Sequence, residues 1–69
     1  MKKEEVDFCK KLNDNNIILL NDIDRLTKII KNTRNLRQKN VLIIILECKM
    51  NEVNDNAKLI NDIVMKYKK

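Results

Sequence analysis

Sixty-nine residues make one domain at most, and a chain of that size buries only about 60% of its unfolded surface, so a lone core is marginal. The chain has no His, Gly or Pro, two Cys, one Phe and one Tyr, 36% charged residues and a formal charge of +5. This argues against a zinc site, a Gly-rich phosphate loop, primed β-turns and imidazole-based acid–base catalysis, and it leaves association with other chains as the route to stability.

The first predicted element is a helix over residues 3–31. From Cys9 its apolar positions alternate at spacings of three and four: Leu12, Asn16, Leu19, Ile23, Leu26 and Ile30. Phe8, Leu20 and Ile29 widen that seam, the pattern of a helix packed in a bundle. Asn16 is its one polar member. It reads either as a buried amide that penalises wrong registers or as the mark of a break at Asn13–Asn16, since Asn and Asp prefer caps and turns.

Over residues 32–39 the spacing fails, because Thr33, Arg37 and Asn40 stand where the first register needs apolar side chains. A basic polar turn is expected there. Asn tolerates left-handed backbone and caps helices without glycine, and Asn35 followed by Gln38 has capping-box spacing. Residues 28–40 carry five basic residues and no acidic one, whereas residues 1–27 have five against six and residues 41–69 five against four. The cluster Lys28, Lys31, Arg34, Arg37 and Lys39 therefore projects positive potential, suited to an acidic protein surface or nucleic-acid phosphates. No aromatic sits among them to stack on bases, and a solvated turn is the plain alternative.

A second helix is predicted over residues 40–67. Its seam, Ile43, Leu46, Met50, Val53, Ala57, Ile60, Val64 and Tyr67, keeps strict three-four spacing and predicts a knobs-into-holes contact. The fold class expected is all-α, an antiparallel coiled-coil-like hairpin. Its layers would be Ile30/Ile43, Leu26/Leu46, Ile23/Met50, Leu19/Val53, Asn16/Ala57, Leu12/Ile60 and Cys9/Val64. The alternative is a single helix of about 100 Å, at 1.5 Å per residue, pairing in a parallel coil.

Val41–Leu46 is six apolar residues in a row, too short for a bilayer span, which takes about 20. Ile43 and Leu46 belong to the seam. Val41, Leu42, Ile44 and Ile45, with Cys48 continuing their side, form more apolar surface than one facing helix covers, and so predict a partner interface, with other helical subunits or with copies of the same chain. The opening Met-Lys-Lys-Glu-Glu is followed by no apolar stretch of signal-peptide type, so free thiols in a reducing compartment, cytosolic or nuclear, are expected. No cofactor, metal or catalytic residue is expected.

The length, the stretch Leu19-Leu20 with Ile23, Arg25-Leu26 and Ile30, the Asn-rich polar middle and an apolar second half from about Asn40 resemble the very small helical subunits of the DASH ring complex of fungal kinetochores. The resemblance covers roughly residues 17–60, and Thr33 and Arg37 depart from it. It implies a scaffold role in a heteromeric complex at the microtubule, with the basic middle facing acidic tubulin. The functional expectation is a non-enzymatic structural subunit; the alternative is a small basic nucleic-acid- or ribosome-associated factor using residues 28–39.

Overall fold

The computed structural model describes residues 2–68 and consists of two helices, α1 (Lys3–Asn32) and α2 (Leu36–Tyr67), packed against each other as a helical hairpin. The rod measures 51 × 16 × 14 Å, which sets aside the single long helix. Its radius of gyration is 15.8 Å, against about 11 Å for a globular chain of this length.

α1 runs unbroken through Asn13–Asn16. It starts at Lys2 without a side-chain cap, and Glu4 and Glu5 in its first turn offset the exposed N–H groups and the positive end of the dipole. It ends with the Thr33 N–H donating to the Ile30 carbonyl at 3.2 Å and the Thr33 hydroxyl donating to that of Ile29 at 2.6 Å.

The connection is Thr33–Asn35, three residues where the sequence pattern predicts eight. The reason is Asn35. Its Oδ1 accepts the Gln38 N–H at 3.1 Å, so α2 begins at Leu36, four residues ahead of the expected start. Of the basic cluster only Arg34 lies in the loop; Lys28 and Lys31 end α1, and Arg37 and Lys39 open α2.

The register lies within one residue of the expected one, and the difference is systematic. The Asn56 side-chain amide donates to Asn16 Oδ1 at 3.0 Å, and the Tyr67 hydroxyl donates to a Glu5 carboxylate oxygen. In both pairs the residue numbers sum to 72. On that sum the covered positions of the two helices fall into layers: Cys9/Ile63, Leu12/Ile60, Leu19/Val53, Leu26/Leu46 and Ile30/Leu42. The predicted layers that summed to 72 stand, and those that summed to 73 are replaced. α2 is rolled by one position, so Met50 and Ala57 leave the seam while Lys49 and Asn56 enter it, and Ile43 and Val64 move to its edge. The cause is polar. Lys49 reaches Asp22 at 3.3 Å, and Asn16 accepts from Asn56 at Oδ1 while its Nδ2 donates to the Val53 carbonyl at 3.4 Å; the Met50/Ala57 roll would forfeit the Lys49 and Asn56 contacts and leave Asn16 Oδ1 without its donor.

Leu12 and Leu19 are the only buried side chains among the described residues, each 9% exposed. Among the described residues, the core is two leucine layers of one seam on either side of the Asn16–Asn56 pair.

Candidate partner interface

Helical spacing sorts the uncovered side chains into two flanks of the seam and an outer surface. Along one flank run Val6, Asn13, Leu20 and Thr27 from α1, facing Leu36, Ile43, Met50, Ala57 and Val64 from α2. None of these nine is charged. Two shallow cavities are sunk into this flank, one of about 280 Å3 lined by Val6, Cys9, Lys10, Asn13, Ile60 and Val64. The other, of about 240 Å3, is lined by Leu20, Ile23, Met50, Val53 and Asn54. Asn13 and Ala57, the small pair of the flank, lie between Leu20 and Met50 on one side and Val6 and Val64 on the other.

The opposite flank is mixed: Phe8, Asn15, Asp22 and Ile29 face Gln38, Ile45, Glu52, Leu59 and Lys66. Two of its three charged residues, Asp22 and Lys66, are used within the chain. Asp22 takes the Lys49 ammonium, and Lys66 stands 3.9 Å from the Glu5 carboxylate. That carboxylate also accepts from Tyr67; this hydrogen bond, with Lys66 close by, holds Glu5 below its ordinary value of 4.5, and the same bond, with partial desolvation and the Glu5 charge, holds Tyr67 above its ordinary 10.0.

The sequence-predicted partner residues divide. Val41, Ile44, Ile45 and Cys48 are exposed, Ile44 at 60% and Ile45 at 40%; Val41, Ile44 and Cys48 lie on the outer side of α2 near the loop end, with Ile45 beside them on the edge of the mixed flank. Leu42 is a correction: it is half-buried in the layer with Ile30, because the roll of α2 carries it into the seam. Met50, predicted in the seam, is 48% exposed on the uncharged flank for the same reason. Leu19 is buried, and Ile23, Leu26, Ile30, Leu46, Val53 and Ile60 are half-buried between the helices.

The basic cluster is also revised. Lys28, though exposed, pairs with Asp24 at 3.2 Å one turn before it, and Lys39 is half-covered, which leaves Lys31, Arg34 and Arg37 as the exposed basic residues of the loop end outside any ion pair among the described residues. α2 has no acidic residue in its first turn, so Arg37 sits at the positive end of its dipole.

Apolar spacing alone missed Lys49, Asn56 and the uncharged flank. The signal was present in the pairing: Asp22 with Lys49 and Asn16 with Asn56 hold a near-constant number sum, which a search for complementary polar pairs would have found.

Cys9 and Cys48 are free thiols. Among the described residues there is no group of three or more metal-ligating side chains, and no helix is long and apolar enough to cross a membrane. No protein-family model, no curated protein and no solved structure matches this chain.

Proposed function

We propose that this chain is a non-enzymatic structural subunit, a helical hairpin that assembles with other helical chains or with its own kind through helix-bundle contacts. The observation that carries this reading is the outer α2 patch. Val41, Ile44, Ile45 and Cys48 stand exposed over residues 41–48, in a chain where only Leu12 and Leu19 are buried among the described residues. Each large aliphatic left in water forgoes about 1.5 to 3 kcal/mol of burial, and clustered residues of this kind mark contacts. Two free thiols suit a reducing compartment, cytosol or nucleus. The resemblance to DASH ring subunits would set the assembly at a kinetochore–microtubule junction, with Lys31, Arg34 and Arg37 toward acidic tubulin; that placement rests on the resemblance alone.

The test is purification of the tagged chain from its own cells, with the mass and composition of the complex measured. Ile44→Asp/Ile45→Asp should remove stoichiometric helical partner chains while Arg34→Glu/Arg37→Glu keeps them. The second reading, a basic nucleic-acid factor, draws support from the uncompensated positive start of α2. It predicts copurifying nucleic acid that is lost in the arginine variant and kept in the isoleucine variant.

A further inference from the structure

We infer that the uncharged flank is a homotypic interface: two copies of the hairpin stack flank to flank about a two-fold axis perpendicular to the helices, forming a four-helix bundle with the loops at opposite ends. This deepens the assembly reading by naming one of the partners, and it uses a surface distinct from the outer α2 patch.

Size comes first. The accessible surface is 5867 Å2, whereas a compact monomer of 8.2 kDa exposes about 4,500 Å2. The face of the rod, 51 × 16 Å, is about 800 Å2, the area each partner contributes to a standard stable interface, about 800 Å2.

Only two symmetric stackings of this face exist. With the axis along the helices, α1 lies over the other copy's α2 at equal height. Leu20 then meets Met50 while Asn13 meets Ala57, large on large and small on small, and Asp24 faces Glu47. That leaves a gap over the small pair, opposes like charges twice, and sets two basic loop ends, with Lys31, Arg34 and Arg37 on each, side by side.

An axis across the helices, passing α1 near Ile17, reverses each of these. Within about one turn, Leu20 comes over the Asn13 of the second copy and Met50 over its Ala57 and the cavity beside Ile60 and Val64, so large side chains meet small ones and a hollow. Lys10 comes opposite Asp24 twice. The basic loop ends separate by about the 51 Å length of the rod, several times the Debye length of about 8 Å at physiological salt. The one like-charge pair, Lys3 with Lys31, falls at the exposed ends, where salt screens it.

Light scattering on the purified full chain should give a dimer of twice 8.2 kDa. Leu20→Lys and Met50→Lys, at half-exposed positions the monomer tolerates, should each keep native helicity by circular dichroism. Because the axis counts each change twice, each should raise the dimer dissociation constant about a hundredfold. Lys10→Glu should weaken the dimer about fivefold, with Asp24→Lys added in the same chain restoring it. Ile17→Cys, in a Cys9→Ala/Cys48→Ser background, should cross-link to its copy through a short bismaleimide.

A helical species that stays at 8.2 kDa at high concentration overturns the proposal. So does a dimer that survives Leu20→Lys and Met50→Lys, or one in which Ile17→Cys fails to cross-link. Loss of the dimer in Ile44→Asp but not in Leu20→Lys would also overturn it, assigning self-association to the outer patch. The assembly reading fails separately, when the tagged chain is recovered from cells as a monomer with no other subunit; recovery with other helical subunits but no self-pairing overturns the flank proposal alone.

Discussion

The two flanks of this hairpin border the same seam and are built from the same kinds of helix, yet one carries no charge at nine positions while the other uses Asp22 and Lys66 in ion pairs within the chain. The seam alone does not produce that difference. It follows from the roll of α2, which one amide pair and one ion pair set. Turned by a single position, α2 would bury Met50 and Ala57 and hand the uncharged flank a different composition. Two polar contacts inside a thin core thus decide what the outside offers to other chains.

The largest test of this comparison removes the seam. Leu19→Ala deletes one of the two buried side chains and should cost about 2 to 3 kcal/mol, erasing both flanks at once; thermal unfolding followed by helicity measures it. Next is the roll itself. Asn56→Leu leaves Asn16 Oδ1 without its donor, while the Asn16 Nδ2 keeps the Val53 carbonyl at 3.4 Å, and should cost about 1 to 3 kcal/mol by denaturant unfolding. The double change Asn16→Leu/Asn56→Leu should recover that stability but free α2 to turn toward the Met50 roll, seen as increased alkylation of a Cys placed at Lys49.

A smaller effect lies at the loop end. Arg37→Glu puts a carboxylate at the positive start of α2 and should stabilise the hairpin by about 0.3 to 1 kcal/mol, diminishing in high salt. Smallest is the Tyr67–Glu5 contact between the free ends. Glu5 is depressed, so its contribution is complete above its unfolded value near 4.5 and is lost as pH falls through the lower folded value. Tyr67 is raised, so its contribution is complete below about 10.0 and is lost as pH climbs through the higher folded value. Hydrogen exchange of the last turn of α2 should therefore quicken at both extremes, and Tyr67→Phe should abolish the alkaline dependence and reduce the acid one, where Lys66 still faces Glu5.

Much of the fold was legible because apolar spacing reports burial directly. Leu12, Leu19 and Leu26 point at α2 in the periodicity as they do in the structure, and Asn35 with Gln38 announced the cap that starts α2. The face of α2 was harder to read, since Leu46, Val53, Ile60 and Tyr67 belong to two three-four registers at once. One is completed by apolar Met50 and Ala57, the other by polar Lys49 and Asn56. A rule that scores apolar residues prefers the first, and the molecule adopts the second because partners on α1 satisfy the polar pair. The uncharged flank stayed hidden for the same reason: it exists only once the roll is known.

The link Thr33-Arg34-Asn35 holds no residue with positive φ, and Thr33 and Asn35 are extended. The reversal of the chain is therefore enforced by the attraction between the helices and by the stop signals at their ends, with the connector itself a passive tether. Arg34 is accordingly a place where added sequence, an epitope or a fluorophore-bearing peptide, can be grafted, turning either tip of the rod into a handle while its sides stay untouched.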